Sequence, residues 1–431
     1  MTIVHSGKKK TPCDLHIVPG ANLYIGPKAV KVVLGGLTTL EEDLLTLAGS
    51  IYATDLGVKR GTVTSAVRTL RLSVEVTNIA ALKPHVQHIE HCLYFLTNDN
   101  WSIELVPKNG TPEATQTWPT RDGTVLLFSG GLDSFVAATV LQATSPHLVL
   151  VSHVTHNKVT AESQKDLFGK LTARGGTPTK HVPIRVYART SETAPFPKDQ
   201  EREDSQRTRS FLFLTLAVLV ARREGIRNVV TIAENGQFAI HLPLSSARVG
   251  PFSTHTAHPE FLHMAEILFQ SLLDLPTLSI QNPFVYTTKG EVVGQLPTDL
   301  HSTIPITVSC WRSSRLATQH HCGECIPCIS RRIAVESNNL TFKEYERDLF
   351  GEDSRTLDYS DVGKRNLVDL AEFIGHFSGR LSKSEGELLE TYPELFNKHF
   401  DRPQVIEMYH RFAAEACKVL ATYPKANWVL Q

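Results

Sequence analysis

Ser129-Gly130-Gly131-Leu132-Asp133-Ser134 constrains this chain more than any other stretch. It lies between an apolar run, Val125-Leu126-Leu127-Phe128, and a helix-patterned run, Phe135-Val136-Ala137-Ala138-Thr139-Val140-Leu141. A buried strand, a small-residue turn and a helix start therefore follow one another without a gap. Two glycines allow a sharp turn and a close approach by a ligand. The amides of the turn and of the first helical turn then point at one spot, with the positive end of the helix dipole behind them. That is a cradle for an anion, and a phosphate chain suits it. Ser129 and Ser134 add hydroxyls on either side. Asp133 either orients the loop or approaches a metal carried by the phosphates. No Gly-Lys-Ser/Thr follows, so the spacing is not that of a Walker A loop.

The chain has 431 residues, which predicts two or three domains. A hydrophobic content of 41% is that of a globular protein. Lys plus Arg equals Asp plus Glu at 44 each, so no general attraction to nucleic acid is expected. Met1 to Lys10 is polar and basic, without the apolar core of a secretory signal. No apolar run approaches the roughly 20 residues of a membrane span. Phe211 to Val220 is the most apolar segment and predicts a buried helix. Four of the seven cysteines cluster, which fits a metal site in a reducing cytosol better than a disulfide framework. A cytoplasmic protein is expected.

Three regions are predicted. Residues 1–118 carry no phosphate motif. Leu70, Leu72, Val74 and Val76 alternate like a half-buried strand, and Leu40 to Leu56 has helical spacing. His91–Leu96 and Trp101–Val106 flank Thr97-Asn98-Asp99-Asn100, which predicts a hairpin. An α+β domain with an antiparallel sheet follows, with Pro107 to Pro119 as linker. From 119 to 338 the rhythm is β-α-β. Strands are expected at Thr124–Phe128, His147–Val154, Val182–Ala188, Asn228–Ala233 and Ile306–Ser309. Helices are expected near Asp133–Ala143, Ala161–Arg174 and Gln206–Glu224. This alternation implies a Rossmann-like parallel α/β sheet with ligands beyond the carboxyl ends of its strands. Residues 339–431 are helix-patterned, as at Val405–Leu420, and show no chemistry of their own.

Cys310, Cys322, Cys325 and Cys328 have the spacing C-x11-C-x2-C-x2-C. Four thiolates so spaced suit a closed, structural Zn²⁺ site, with an iron–sulfur cluster as the competing reading. His320 and His321 adjoin them and are expected at the surface. Cys13, Cys92 and Cys417 are isolated and suit packing.

The first motif resembles the PP-loop, S-G-G-x-D-S, of pyrophosphatases that cut ATP between the α- and β-phosphates, with every fixed position matched. Together with Thr307-Val308-Ser309-Cys310 and Cys322-Gly323-Glu324-Cys325-Ile326-Pro327-Cys328-Ile329-Ser330-Arg331, it resembles the QueC family. Arg209-Ser210-Phe211-Leu212 and Thr288-Lys289-Gly290-Glu291 look like two further family segments. The resemblance covers about 122–335. It implies ATP, carried with Mg²⁺, held by Phe128, Ser129, Gly130, Gly131, Leu132, Asp133 and Ser134, a cysteine-bound zinc, and a 7-deazaguanine carboxylate as substrate. Members of that family turn 7-carboxy-7-deazaguanine into 7-cyano-7-deazaguanine with ATP and ammonia. The chain departs from them in its two extensions and in lacking a Tyr-Pro-Asp-Cys-Arg run. In this longer form it looks like QatC and the CBASS-type QueC-like proteins of anti-phage defence. For that group the resemblance implies an amide to the N-terminal amine of a partner protein encoded nearby.

The chemistry needs charge neutralisation around phosphates and a carboxylate. Lys289 and Arg209 are the candidates, and they join Asp133 and Ser134 as candidate catalytic residues. A solvated loop lysine and a helix–sheet ion pair are the plainer roles for Lys289 and Arg209. Glu234 and Asn235 close a predicted strand, where they would read guanine-like N–H and carbonyl groups, although Asn-Gly also makes ordinary turns. Arg248, His255 and His258 lie in a polar Gly- and Pro-containing segment of lid-like character and complete the candidate substrate set.

The leading expectation is an ATP-dependent, AMP- and pyrophosphate-forming ligase. The alternatives are a 7-cyano-7-deazaguanine synthase using ammonia, and a non-catalytic nucleotide-binding subunit of a defence complex. RNA thiolation is disfavoured, because the cysteines it would need are committed to metal.

Overall fold

A computed structural model describes all residues except 10, 26–35, 62–66, 111–119, 155–156, 227–228, 246–254, 317–319 and 343. In the first region, β1 (Thr2–Ser6), β2 (Leu15–Ile17), β4 (Thr69–Val76) and β5 (Asn100–Pro107) form one sheet in the order β2-β1-β4-β5. All three pairings are parallel. The expected hairpin is therefore absent. His91–Leu96 belongs to a helix, α2 (Val86–Thr97), and Asn98, at φ 57°, ends it in the left-handed conformation. Ile89, Cys92, Leu93 and Leu96 bury one helical face, and that burial decides against a strand. A parallel connection needs such a crossover helix. Helix α1 (Thr39–Gly57) begins at a Thr38–Glu41 capping box, as Leu40–Leu56 predicted.

The second region is the expected α/β unit. Its six-stranded sheet has the order β10-β9-β6-β7-β8-β3. The strands are β6 (Thr124–Leu127), β7 (Leu148–Val154), β8 (Thr179–Ala188), β9 (Val229–Ile232) and β10 (Ser279–Gln281), all parallel, plus β3 (Leu23–Ile25) antiparallel to β8. Helices α3 (Leu132–Thr144), α4 (Lys158–Arg174), α5 (Arg209–Glu224) and α6 (Pro259–Leu273) cover the faces. Ile306–Ser309 is not a strand. A 3-10 helix containing Pro305 runs as far as Ile306, and Val308 N donates to Gly130 O at 2.9 Å, so the segment runs beside the glycine turn.

One hydrophobic cluster runs without a break from Val4, Leu44 and Leu72 to Val149, Leu216 and Phe269. The first region thus shares a core with the α/β unit. Buried charges reinforce the seam. Glu41 pairs with Arg222 and Arg223 at 2.5 Å each, and Asp55 accepts from Thr208 N at 2.9 Å at the head of α5. Asp55 also pairs with Arg68, which pairs with Asp99. The expected linker lies largely outside the described residues. A second cluster joins α8 (Ile326–Ser337) to the C-terminal helices α9 (Val362–Phe377) and α10 (Arg402–Leu420). Among the described residues no helix is long and apolar enough to cross a membrane.

Candidate active site

The glycine turn lies at the carboxyl end of β6, the central strand. Gly130 has φ +81°, and a Cβ there would come within 3.1 Å of Ser163 and Gln164 from α4. Gly131 caps α3, so the first amides of a 13-residue helix face the cleft. Ser129 Oγ lies 3.1 Å from Ser134 Oγ, and Ser134 donates to Gly131 O at 3.0 Å. Phe128 is buried beneath the turn and donates its N–H to Val151 O. Leu132 is buried in the core under α3.

Asp133 and Lys289 form a buried ion pair at 2.6 Å. Lys289 is therefore no solvated loop residue. It sits at the start of α7 (Lys289–Gly294), behind a Thr288–Glu291 capping box. The other Asp133 oxygen accepts from Asn235 Nδ2 at 2.6 Å. Both oxygens are engaged, which fits loop orientation rather than cation binding. Burial would raise the Asp133 pKa, but the Lys289 charge and the Asn235 bonds outweigh it and hold the carboxyl below its usual range. Asn235 is more than a turn residue. It caps the short helix Gly236–Ile240, and its Oδ1 is buried without a partner. Glu234 lines the same cleft. Burial and the negative charge of Asp133 push its pKa up to about 8, against the opposing pull of Lys289.

The turn separates two openings. One, of about 220 Å³, is lined by Asp133, Ser134, Glu234, Lys289, Ser309 and Trp311. The other, of about 600 Å³, is lined by Ser129, His153 and Arg209, and by Tyr52 and Leu56 of α1. Arg209 lies over the Phe213 ring at 5.2 Å and forms no ion pair among the described residues. His153 donates Nε2–H to Val186 O at 2.7 Å, leaving a buried, unpartnered Nδ1. Burial foremost, with Arg209 nearby, lowers its pKa to about 3.

Not every candidate reaches the cleft. His258 caps α6 by accepting from Glu260 N at 3.2 Å, and its ring lies against Phe95 and Phe400. His255 also meets Phe95, at 5.0 Å. Neither lines either opening: helix capping and aromatic contact hold His258, and aromatic contact holds His255. Arg248 lies outside the described residues. Tyr52, His153 and Trp311 line the openings unforeseen. His153 ends a predicted strand and was open to detection there, whereas Tyr52 and Trp311 carry no local signal.

The four cysteine sulfurs lie within 4.8 Å of one another, with Cys322–Cys328 and Cys310–Cys325 both at 3.9 Å. Tetrahedral thiolates around Zn²⁺ stand about 3.8 Å apart, so the set fits that ion. Gly323, at φ +84°, is required, because a Cβ would fall 2.0 Å from Arg347 O. Fully buried Arg331 extends from α8 to Thr307 Oγ1 at 2.8 Å and Ser309 Oγ at 3.1 Å. The cluster is thus tied to the segment that touches the glycine turn. His321 is buried against Phe342 and Tyr345, not at the surface, and its Nε2 accepts from Ser309 N at 3.3 Å.

The C-terminal helices reach the same site. Glu415 of α10 accepts from Thr288 Oγ1 at 2.5 Å, and Arg411 pairs with Glu291 at 2.6 Å. They buttress the turn that presents Lys289.

Two curated relatives carry the name 7-cyano-7-deazaguanine synthase. The chain is 25% identical to that of Methanothrix thermoacetophila over 227 residues, 48% of this chain and 91% of the relative. It is 22% identical to that of Sulfolobus acidocaldarius over 231 residues, 50% of this chain and 46% of the relative. The chain thus spans about half the length of the Sulfolobus relative it matches. The sequence profile described as queuosine biosynthesis protein QueC matches residues 123–339, from just before β6 to just past the last cysteine-bearing helix. With half its length so matched, and the glycine turn and the cysteine cluster both inside the match, the chain belongs to the QueC family.

Proposed function

We propose that the protein adenylates 7-carboxy-7-deazaguanine with Mg-ATP and couples the product to an amine, the N-terminus of a partner protein, in anti-phage defence of the QatC or CBASS type. The observation that carries this reading is the convergence of the α3 amides, the buried Asp133–Lys289 pair and Glu234 on one cleft. A carboxylate oxygen attacks the α-phosphorus, the bond to the bridging oxygen breaks, and pyrophosphate leaves. The amine nitrogen then attacks the acyl carbon, AMP leaves with the bonding pair, and the nitrogen loses a proton. The chain supplies no covalent nucleophile. It must hold the phosphates in line, offset their charge and exclude water.

In this reading the amides of residues 130–134 and Ser129 and Ser134 hold the phosphates. Arg209 and Lys289 offset charge from opposite sides, and Asp133 orients Lys289 and the loop. Glu234 and Asn235 read the deazaguanine. A zinc held by Cys310, Cys322, Cys325 and Cys328 would fasten 307–311 against the turn without an open coordination position. Residues 1–118 engage the acceptor protein and also wall the larger opening. Residues 339–431 buttress Lys289.

The same cleft with ammonia as nucleophile would yield the primary amide with loss of AMP; a second ATP would have to adenylate the amide oxygen, which leaves with AMP as the nitrogen loses its protons, to give the nitrile, and the names of the relatives favour that second reading. Incubation with the carboxylate, Mg-ATP and ammonium, followed by mass spectrometry, separates the two. Pyrophosphate release is expected, and Ser134→Ala should lower it about 100-fold, the loss typical of one oriented donor. Release of orthophosphate and ADP instead would sink both readings.

A further inference from the structure

Behind the smaller opening lies a third cavity, of about 70 Å³, between the Gly236–Ile240 helix and the C-terminal helices. Phe238, Leu242, Leu244 and Ile326 line it, with Leu370, Phe373 and Phe412 from the C-terminal helices. Phe238 and Trp311 line both this cavity and the opening that holds Asp133 and Lys289. The two spaces therefore share a wall. Trp311 is 65% exposed at their junction, an unusual position for so large an apolar side chain.

The polar groups of this cavity are unevenly satisfied. Tyr409 Oη accepts from Leu242 N at 3.3 Å and lies 3.5 Å from Gln237 O. Gln237 Oε1 accepts from Lys289 N at 2.6 Å, which fixes the amide orientation. That leaves Gln237 Nε2 buried with no partner. An open buried donor is unfavourable, so a ligand that brings an acceptor gains by filling it. The volume is about that of two waters, too small for a nucleobase and suited to a short aliphatic side chain. Apolar walls with one free N–H match a residue of a polypeptide, side chain and carbonyl together. Ammonia would need neither.

We propose that this cavity is the acceptor subsite, which takes a short aliphatic side chain beside the reacting amine while Gln237 Nε2 donates to a backbone carbonyl of the same peptide. The subsite rests on the amide-forming reading above. It also gives residues 339–431 a role in choosing the acceptor, since Leu370, Phe373 and Phe412 belong to them.

The test uses the full-length protein, Mg-ATP, 7-carboxy-7-deazaguanine and two tripeptide series, Xaa-Gly-Gly and Gly-Xaa-Gly, with Gly, Ala, Val, Asp or Trp as Xaa. Adduct mass gives the rate. In one series Ala and Val should exceed Asp and Trp at least tenfold in kcat/KM, the discrimination expected of an apolar pocket. Leu370→Trp and Leu244→Trp should fill the cavity and erase that preference, while pyrophosphate release without peptide stays unchanged. If Leu370→Trp fails to fold, the wild-type ranking and Leu244→Trp decide. Equal rates across both series, or filled variants that keep the preference, would overturn the subsite alone. Absence of pyrophosphate release from the wild type would remove the amide-forming reading, and the subsite with it.

Discussion

The two openings beside the glycine turn are built in opposite ways. The larger one is walled from the N-terminal side by Tyr52 and Leu56, whose helix is fused to α5 through one apolar core and two buried ion pairs. The smaller one is held by short segments, 233–238, 288–291 and 307–311, each fixed by polar contacts or by the cysteine cluster. A rigid wall suits a ligand of constant shape, such as a nucleotide. Segments fixed by a few directional bonds suit a site whose occupants change during turnover. Among the described residues the C-terminal helices brace the second side through Glu415 and Arg411 and line no part of the first.

This contrast can be broken. The largest effect is expected from deleting residues 1–118. That removes half of a shared core and bares the apolar faces of α5 and α6, so the remainder should aggregate or lose cooperative unfolding. Soluble yield and circular dichroism report it, and a monodisperse, active 119–431 fragment would show that the wall is not integral. Next comes Cys325→Ser. The wild type should carry about one zinc per chain by elemental analysis. The variant should lose it, and hydrogen exchange should rise across 306–335 while the N-terminal sheet stays protected. Iron with sulfide in the wild type would refute the zinc assignment.

Lys289→Met should cost about 3–5 kcal/mol by leaving Asp133 charged and alone in the interior. Adding Asp133→Asn should restore most of the melting temperature without restoring pyrophosphate release. Recovery of activity would show that the pair only holds the fold. The smallest effect concerns Glu234. Its folded pKa, about 8, lies above the unfolded value of about 4.3, so the folded state binds the extra proton between those limits. Stability from this group is full below the lower limit and falls as pH rises through 8. Glu234→Gln should flatten the decline in melting temperature between pH 6 and 9, and an unchanged slope would contradict the assignment.

The glycine turn and the four cysteines were legible because their chemistry is local: six contiguous residues in one case, a spacing in the other. Lys289 was found through its neighbours Thr288 and Glu291, yet its burial came only with Asp133, 156 positions away. The short apolar window His91–Leu96 fits a strand or a helix equally, and only the buried face of α2 decides. Ile306–Ser309 has strand-forming residues, but Pro305 and the grip of Arg331 on Thr307 and Ser309 keep it out of the sheet. Gln237 and Trp311 gain meaning from cavities that exist only after distant helices meet.

Strand β3 has a consequence in time. It pairs with Val186–Ala188, about 160 residues further along the chain. At a synthesis rate of about 5–20 residues per second, Leu23–Ile25 waits roughly 8–30 seconds for its partner to be made. The N-terminal segment therefore emerges from the ribosome long before its own place in the larger sheet exists. A pause or chaperone contact in that interval would alter yield without touching any residue of the cleft.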